Sequence, residues 1–332
     1  MIETDHGQDS SGSLVCLDRQ VFARDRPDGD PAGRRRTAGL IMVSMRILVT
    51  GHRGNVGVPV AARLRALGHE VAGFDLADGQ DLLDAVAVRR AARGCGAVVH
   101  LGALAHDSAG SPEQIMAVNV LGTWHVLLAA EAAGVGRVVS FSSAQVFGIA
   151  EGEQLPLYFP VDDAHPLRAM RPYGLSKRLA EELCDGFAAR TGIAVVSLRP
   201  VHVWDPGYYH RIEQLRQADP ASEWLPFWEY GAFVDARDVA SAVECALAAP
   251  VTGHHRAVLC AADSCSSAPS LELAGRLAPG VPVIRPERYA RSPAAALVDC
   301  SVARTLLTWR PAYTWSDRGQ RPACVPSGGR PE

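Results

Sequence analysis

Tyr173 and Lys177 stand four residues apart in Pro172-Tyr173-Gly174-Leu175-Ser176-Lys177, which opens a helical pattern running to about Arg190. That spacing puts both side chains on one helix face. A phenol ionises near pH ~10 and is a poor base at neutral pH unless a neighbour favours its anion. A lysine ammonium one turn away does so. Upstream, Ser143 follows the apolar run from Arg137 to Ser142, and a strand-ending hydroxyl can hold an alcohol or carbonyl oxygen. Ser143, Tyr173 and Lys177 are therefore candidates for moving a proton on and off a hydroxyl while hydride is exchanged at its carbon. Alone, Tyr-x-x-x-Lys is more often an exposed helical pair, so the decision rests on what precedes it.

What precedes it is Met45 to Gly57. Arg46 to Thr50 is a short apolar run of the kind that forms a strand covered on both faces, and Gly51, Gly54 and Gly57 follow directly. Residues without a Cβ allow a tight strand-to-helix turn and let backbone N–H groups approach a pyrophosphate at the positive end of the next helix. Val58 to Leu67 reads as that helix, with Pro59 in its first turn, and Glu70 to Phe74 as a second strand leading to Asp75. An acidic residue about 20 positions beyond the glycines completes a dinucleotide fingerprint. Asp75 can accept hydrogen bonds from a ribose diol and repels a 2′-phosphate, which favours NAD; Arg53 inside the loop leaves NADP open. Gly51, Arg53, Gly54, Asn55, Val56, Gly57 and Asp75 are the first cofactor contacts expected.

The elements that must position these groups alternate. Leu83 to Arg93 reads as a helix, Ala97 to Leu101 as a strand, Gly122 to Ala133 as a helix, Arg137 to Ser142 as a strand, and Ala194 to Arg199 as another strand closed by Pro200. This alternation predicts an α/β fold with a parallel, doubly wound Rossmann-type sheet and a small C-terminal substrate-binding segment. Ligands in such sheets lie outside the carboxyl ends of the strands, which places Gly102 and Ala103 near the cofactor. Residues 201–232, rich in aromatics, Pro and Gly, read as loops and short helices rather than sheet framework; Phe233 to Ala240 leads into a helix ending near Ala249. The expected division is a disordered tail over 1–44, with Met45 or Met42 as the natural start, a dinucleotide-binding part over 45–200, a mixed segment over 201–315 and a frayed tail over 316–332.

Bulk properties narrow the classes. The 332 residues are 48% hydrophobic, enough for a large core, and 33 Lys+Arg against 36 Asp+Glu give a net charge of −3. That balance offers no footprint for nucleic acid or an anionic membrane, and no apolar run approaches the ~20 residues of a membrane span. The eight cysteines are scattered without a C-x-x-C pair, so zinc is not expected and a reduced, cytoplasmic protein is.

Taken together, these pieces resemble the extended short-chain dehydrogenase/reductases of the NAD-dependent epimerase/dehydratase family. The residues that carry the resemblance are Thr50 to Gly57, Asp75, Asp81-Leu82, His100-Leu101-Gly102-Ala103, Asn119 to Thr123, Ser142 to Gly148, Tyr173 to Lys177, Leu198-Arg199-Pro200, Phe233 to Ala240 and Trp309-Arg310-Pro311, across about residues 45–315. The resemblance implies Ser143, Tyr173 and Lys177 as the catalytic triad. It implies cofactor contacts from Asp81, Leu82, Leu101, Gly102, Ala103, Asn119 and Pro200 besides those above, and a homodimer paired partly through the Tyr-bearing helix.

Departures from the family pattern narrow the reaction. Members that eliminate water at the sugar 4,6 positions carry Asp-Glu where this chain has Ala144-Gln145; uronate-decarboxylating members have Glu at Gln145, and 3,5-epimerases have Cys at Ala144. What remains is plain hydride chemistry on a sugar or nucleotide sugar, with a 4-epimerase first. A dehydrogenase or reductase of a small sugar, uronic acid or alcohol follows closely, because the gap between Pro200 and Phe233 is short for holding a nucleotide. Arg211, Arg216 and Arg237 are the candidates to grip a diphosphate, and the aromatics of 201–232 could stack on a sugar or form a loop core. A non-catalytic dinucleotide sensor on the same fold is third, since it would be expected to lose Tyr173 or Lys177.

Overall fold

The computed structural model describes residues 44–150, 153–224 and 228–319; all but the last residue of the expected N-terminal tail and all but the first four residues of the expected C-terminal tail lie outside them. The chain opens with β1 (Arg46–Thr50), α1 (Gly57–Ala66), β2 (Glu70–Phe74), α2 (Ala85–Ala92) and β3 (Ala97–His100). Then come α3 (Pro112–Met116), a π-helical turn (Ala117–Leu121), α4 (Gly122–Ala133), β4 (Arg137–Phe141), α5 (Pro172–Thr191) and β5 (Ala194–Pro200). The remainder runs β6 (His202–Trp204), α6 (Pro206–Ala218), α7 (Trp228–Gly231), β7 (Phe233–Asp235), α8 (Ala236–Ala248), β8 (His254–Leu259), and the short helices α9 (Ser270–Leu277), α10 (Pro286–Arg291) and α11 (Ser301–Leu306).

Six strands form one parallel sheet in the order β2-β1-β3-β4-β5-β8. Successive strand residues point to opposite faces, and both faces here are covered. Ile47, Val49, Val99, Val139 and Val196 pack into the layer that includes Val60 and Leu64 of α1 and Val239 and Val243 of α8. Their in-between neighbours Leu48, Val98, Val138 and Val195 face Val88 of α2, Val126 and Leu127 of α4 and Phe187 of α5. The strand order reverses between β1 and β3, so the ends of these two strands frame the crevice where ligands of such sheets bind.

Local signals fix the helix that carries Tyr173. Pro172 occupies its first turn, Gly192 closes it in the left-handed conformation, and no side chain of Arg171 caps it. Instead Asp107, far away in the chain, accepts from the Tyr173 N–H at 2.8 Å.

Three expectations are corrected. The aromatic segment does contribute sheet: β6 pairs in parallel with β7 in a separate two-stranded sheet, and α6 runs 13 residues from a cap in which Asp205 accepts from Gly207 N. Its rings Trp204, Tyr209 and Phe233 close on Trp315 as a core of their own. The C-terminal tail does not begin at Ser316, because Asp263 accepts from Ser316 N and Arg237 donates to Gly319 O. Finally, α3, the π turn and α4 join into a 22-residue helical stretch, Pro112–Ala133, of mean hydropathy 1.4 in its most apolar window, long enough to cross a membrane. Ile115, Val126, Leu127 and Ala130 on it are buried in the protein, as in a core helix.

Candidate active site

A cavity of about 670 Å³ opens at the carboxyl ends of β1, β3, β4 and β5. Its floor is the glycine turn. Gly51 has φ +69°, and a Cβ there would lie 2.7 Å from Gly102 N; a Cβ on Gly57 would lie 2.0 Å from Gly51 O. Those two glycines are required by the close approach of β1, α1 and the strand-end loop after β3. Gly54 differs: a Cβ would meet only Gly51 O, at 3.4 Å, so packing within the protein does not demand glycine there. Its bare face lies along the cavity, and no side chain caps the first turn of α1. Uncapped helix N–H groups behind a Cβ-free surface fit a pyrophosphate.

At the outer end of the cavity, Asp75 accepts from Arg53 N and Ala77 N, each at 2.9 Å, which aims the carboxylate and leaves lone pairs for a ribose diol. The Arg53 guanidinium is turned to Asp78 at 2.5 Å. The Asp78 hydrogen bond and charge raise the guanidinium's pKa, and Arg53 in turn holds the Asp78 carboxyl below its ordinary range. Arg53 is thus neutralised by Asp78, and the carboxylate of Asp75 lines this end of the cavity. Asp75→Ala is expected to weaken NAD binding about 10-fold or more, the worth of hydrogen bonds to a charged group, while Asp78→Ala releases Arg53 and strengthens NADP. Titrations of both dinucleotides check this; an unchanged ratio of the two affinities in the double variant would remove both acids from the choice.

At the inner end, Ser143, Tyr173 and Lys177 all line the cavity and are nearly buried, at 8%, 8% and 6% exposure. Ser143 ends β4 and accepts from Gln145 N at 3.1 Å, which leaves its own proton to donate. Lys177 Nζ donates to Phe141 O at 2.8 Å and sits 5.8 Å from the centre of the Tyr173 ring. Burial pushes its pKa down to about 8, so at neutral pH the group is an ammonium but a poorly solvated one.

Every other residue singled out from the sequence as a cofactor contact, from Gly51, Arg53, Asn55, Val56 and Asp75 to Asp81, Leu82, Leu101, Ala103 and Pro200, lines the same cavity; Asn119 does not. Asn119 is 2% exposed, and its amide instead holds the loop after β3, donating to Leu104 O and accepting from Leu104 N. The diphosphate candidates are also elsewhere. Arg211 pairs with Asp205 at 2.7 Å, Arg237 with Asp235 at 2.7 Å, and Arg216 lies over the Trp315 ring; none lines the cavity. Conversely, His106, which no motif singles out, and His202, which fits no ligand spacing and reads as an ordinary surface or core residue, do line it. Burial pushes His202 down to about 4, so it is a neutral donor and acceptor, and its place two residues after Pro200 was the available signal.

The sheet order, the glycine turn at its switch point and the buried Ser, Tyr and Lys define a Rossmann-type dinucleotide-dependent protein. A family model described as the NAD dependent epimerase/dehydratase family matches residues 47–261, and the chain belongs to that family. Uronate dehydrogenase of Pseudomonas syringae pv. tomato is 31% identical over 166 residues, 46% of this chain and 58% of that one. UDP-glucose 4-epimerase of Streptomyces lividans is 34% identical over 176 residues, 47% and 51% of the two chains. The chain thus spans about half the length of the curated relatives it matches. Among solved structures, a short-chain dehydrogenase/reductase superfamily protein from Agrobacterium tumefaciens with bound NAD superposes with a TM-score of 0.61 at 28% identity, covering 82% of this chain and 94% of that one.

Proposed function

We propose that the chain is an NAD-dependent dehydrogenase of a small, uncharged sugar or related alcohol. The observation that carries the reading is the charge of the cavity. Among the described residues, its only lining cations are Arg53, already paired with Asp78 at the ribose end, and Lys177 at the reacting centre. A nucleotide sugar brings a diphosphate and a uronate brings a carboxylate, and burying either without a partner is costly. A neutral polyol needs only donors and acceptors, which Ser143, Gln145, His106 and His202 can supply. This puts the dehydrogenase ahead of the 4-epimerase that the sequence placed first.

NAD held along the glycine turn supplies the hydride acceptor. Ser143 donates to the substrate oxygen and orients the hydroxyl; Tyr173, as phenolate, takes its proton; Lys177 favours the phenolate through its charge. Gly51 and Gly57 keep the backbone tight enough for this geometry. The test is incubation of the full chain with NAD and a panel of neutral aldoses, uronates and UDP-hexoses, following reduced nicotinamide and sugar products. Stoichiometric NADH with a neutral sugar is the expected result. A C4 epimer of a UDP-hexose without net NADH would make it an epimerase; tight NAD binding with no turnover of any sugar would make it a sensor.

A further inference from the structure

Behind the cavity lies a row of buried polar side chains whose protons can be arranged in one way only. Ser176 Oγ donates to Tyr173 O at 2.7 Å and accepts from Asn119 Nδ2 at 3.0 Å. Thr123 Oγ donates to Asn119 O at 2.5 Å, so its single proton is spent. His100 Nε2 lies 3.0 Å from Thr123 Oγ, which can therefore only accept; Nε2 must carry the ring proton. His100 Nδ1, left bare, must accept from Thr50 Oγ at 2.7 Å. Thr50 Oγ in turn accepts from Gly102 N at 3.1 Å. One run thus goes from the strand-end loop that packs on the glycine turn to the main-chain carbonyl of Asn119, and a second goes from the Asn119 side-chain amide to the main chain of Tyr173.

We infer that His100 is a positioning residue: held as the Nε2–H tautomer, it joins the dinucleotide cradle to the helix that carries Tyr173 through two runs of hydrogen bonds that meet at Asn119. The inference rests on the cavity being the NAD site but not on any substrate. A protonated ring would still donate from Nε2 to Thr123, but its second donor at Nδ1 would face Thr50 Oγ and leave the Thr50 proton without its acceptor. Burial and the nearby Lys177 charge together hold His100 neutral, pushed down to about 3. A neutral His100 thus adds no second positive charge behind Lys177.

The coupling can be read at a residue outside the cavity. Thr123→Val keeps the side-chain shape, removes the acceptor of the His100 proton, and sits on α4 rather than at the cradle. In the full chain labelled with ¹⁵N-histidine, the wild type is expected to show His100 wholly as Nε2–H at neutral pH; the variant is expected to lose that purity. NAD affinity, measured by calorimetry on each protein, is expected to weaken about 3- to 10-fold in the variant, since a neutral hydrogen bond is worth about 1 kcal/mol and 1.4 kcal/mol is tenfold. Thr50→Val is expected to do the same from the other end, and the double variant to lose less than the product of the two. A His100 ring protonated at Nδ1 in the wild type, or NAD affinity unchanged in Thr123→Val, would overturn the inference. Failure of every sugar to react would leave both readouts standing and would count against the proposed dehydrogenase, not against this inference.

Discussion

Tyr173→Phe is expected to lower kcat by about 10²–10⁴-fold while NAD binds almost as before, the range set by loss of a positioned general base. The substitution removes one oxygen and little else. The ring is 8% exposed and keeps its packing, and the main chain keeps both its anchors, Asp107 on the N–H and Ser176 on the carbonyl. Lys177 keeps its bond to Phe141 O, so the charge beside the ring remains. Steady-state rates with the substrate found by the sugar panel, and calorimetric NAD titration, separate the two effects. Unchanged turnover would take Tyr173 out of the mechanism, whereas lost NAD affinity would mean that the hydroxyl supports the cradle and not the reaction.

How far the sequence alone reveals such a site depends on how local each signal is. The glycine turn, Asp75 and the Tyr-x-x-x-Lys pair are legible because each is a short run whose spacing is itself the chemistry. The strands are legible because both faces are buried, so Leu48 and Val49 must both be apolar, and only the structure shows that they serve different layers. β6 and β7 are three residues each, too short for a period to show, and their aromatics serve a core rather than a ligand. Asn119 belongs to a recognisable motif, yet its work is to hold Leu104, a contact across 15 residues that no spacing announces. Arg211 and Arg237 look like free cations in a sequence, because Asp205 and Asp235 beside them become partners only once the helices start at those acids. Charge pairing of this kind is a tertiary fact, set by where the helices begin.

Lys177→Met is expected to abolish most activity and, at the same time, to change how stability responds to alkali. Of the 33 basic residues, Lys177 is the one lysine and all the others are arginine. Arginine stays protonated at any pH a protein survives, whereas an ammonium can be tuned by burial. In the folded chain its pKa is pushed down to about 8, against about 10.4 when unfolded. Below pH 8 both states hold the proton, and the folded state bears the whole cost of burying it, about 3 kcal/mol for such a shift at 1.36 kcal/mol per pH unit. Between these two values the unfolded chain binds more protons than the folded one, so stability gained from this group rises with pH and levels off near pH ~10.4. The methionine variant has no such group. It also leaves Phe141 O without its donor, a loss of about 1–3 kcal/mol that does not vary with pH. Denaturant unfolding of both proteins without NAD is therefore expected to show the wild type gaining on the variant from about pH 8 upward, with other groups cancelling in the difference. Because no second lysine exists, ¹³C-lysine labelling gives one side-chain signal, and its titration reads the same group directly. A midpoint near that of a free lysine, with a pH-independent stability difference, would mean that the ammonium is well solvated and that its charge does not govern Tyr173.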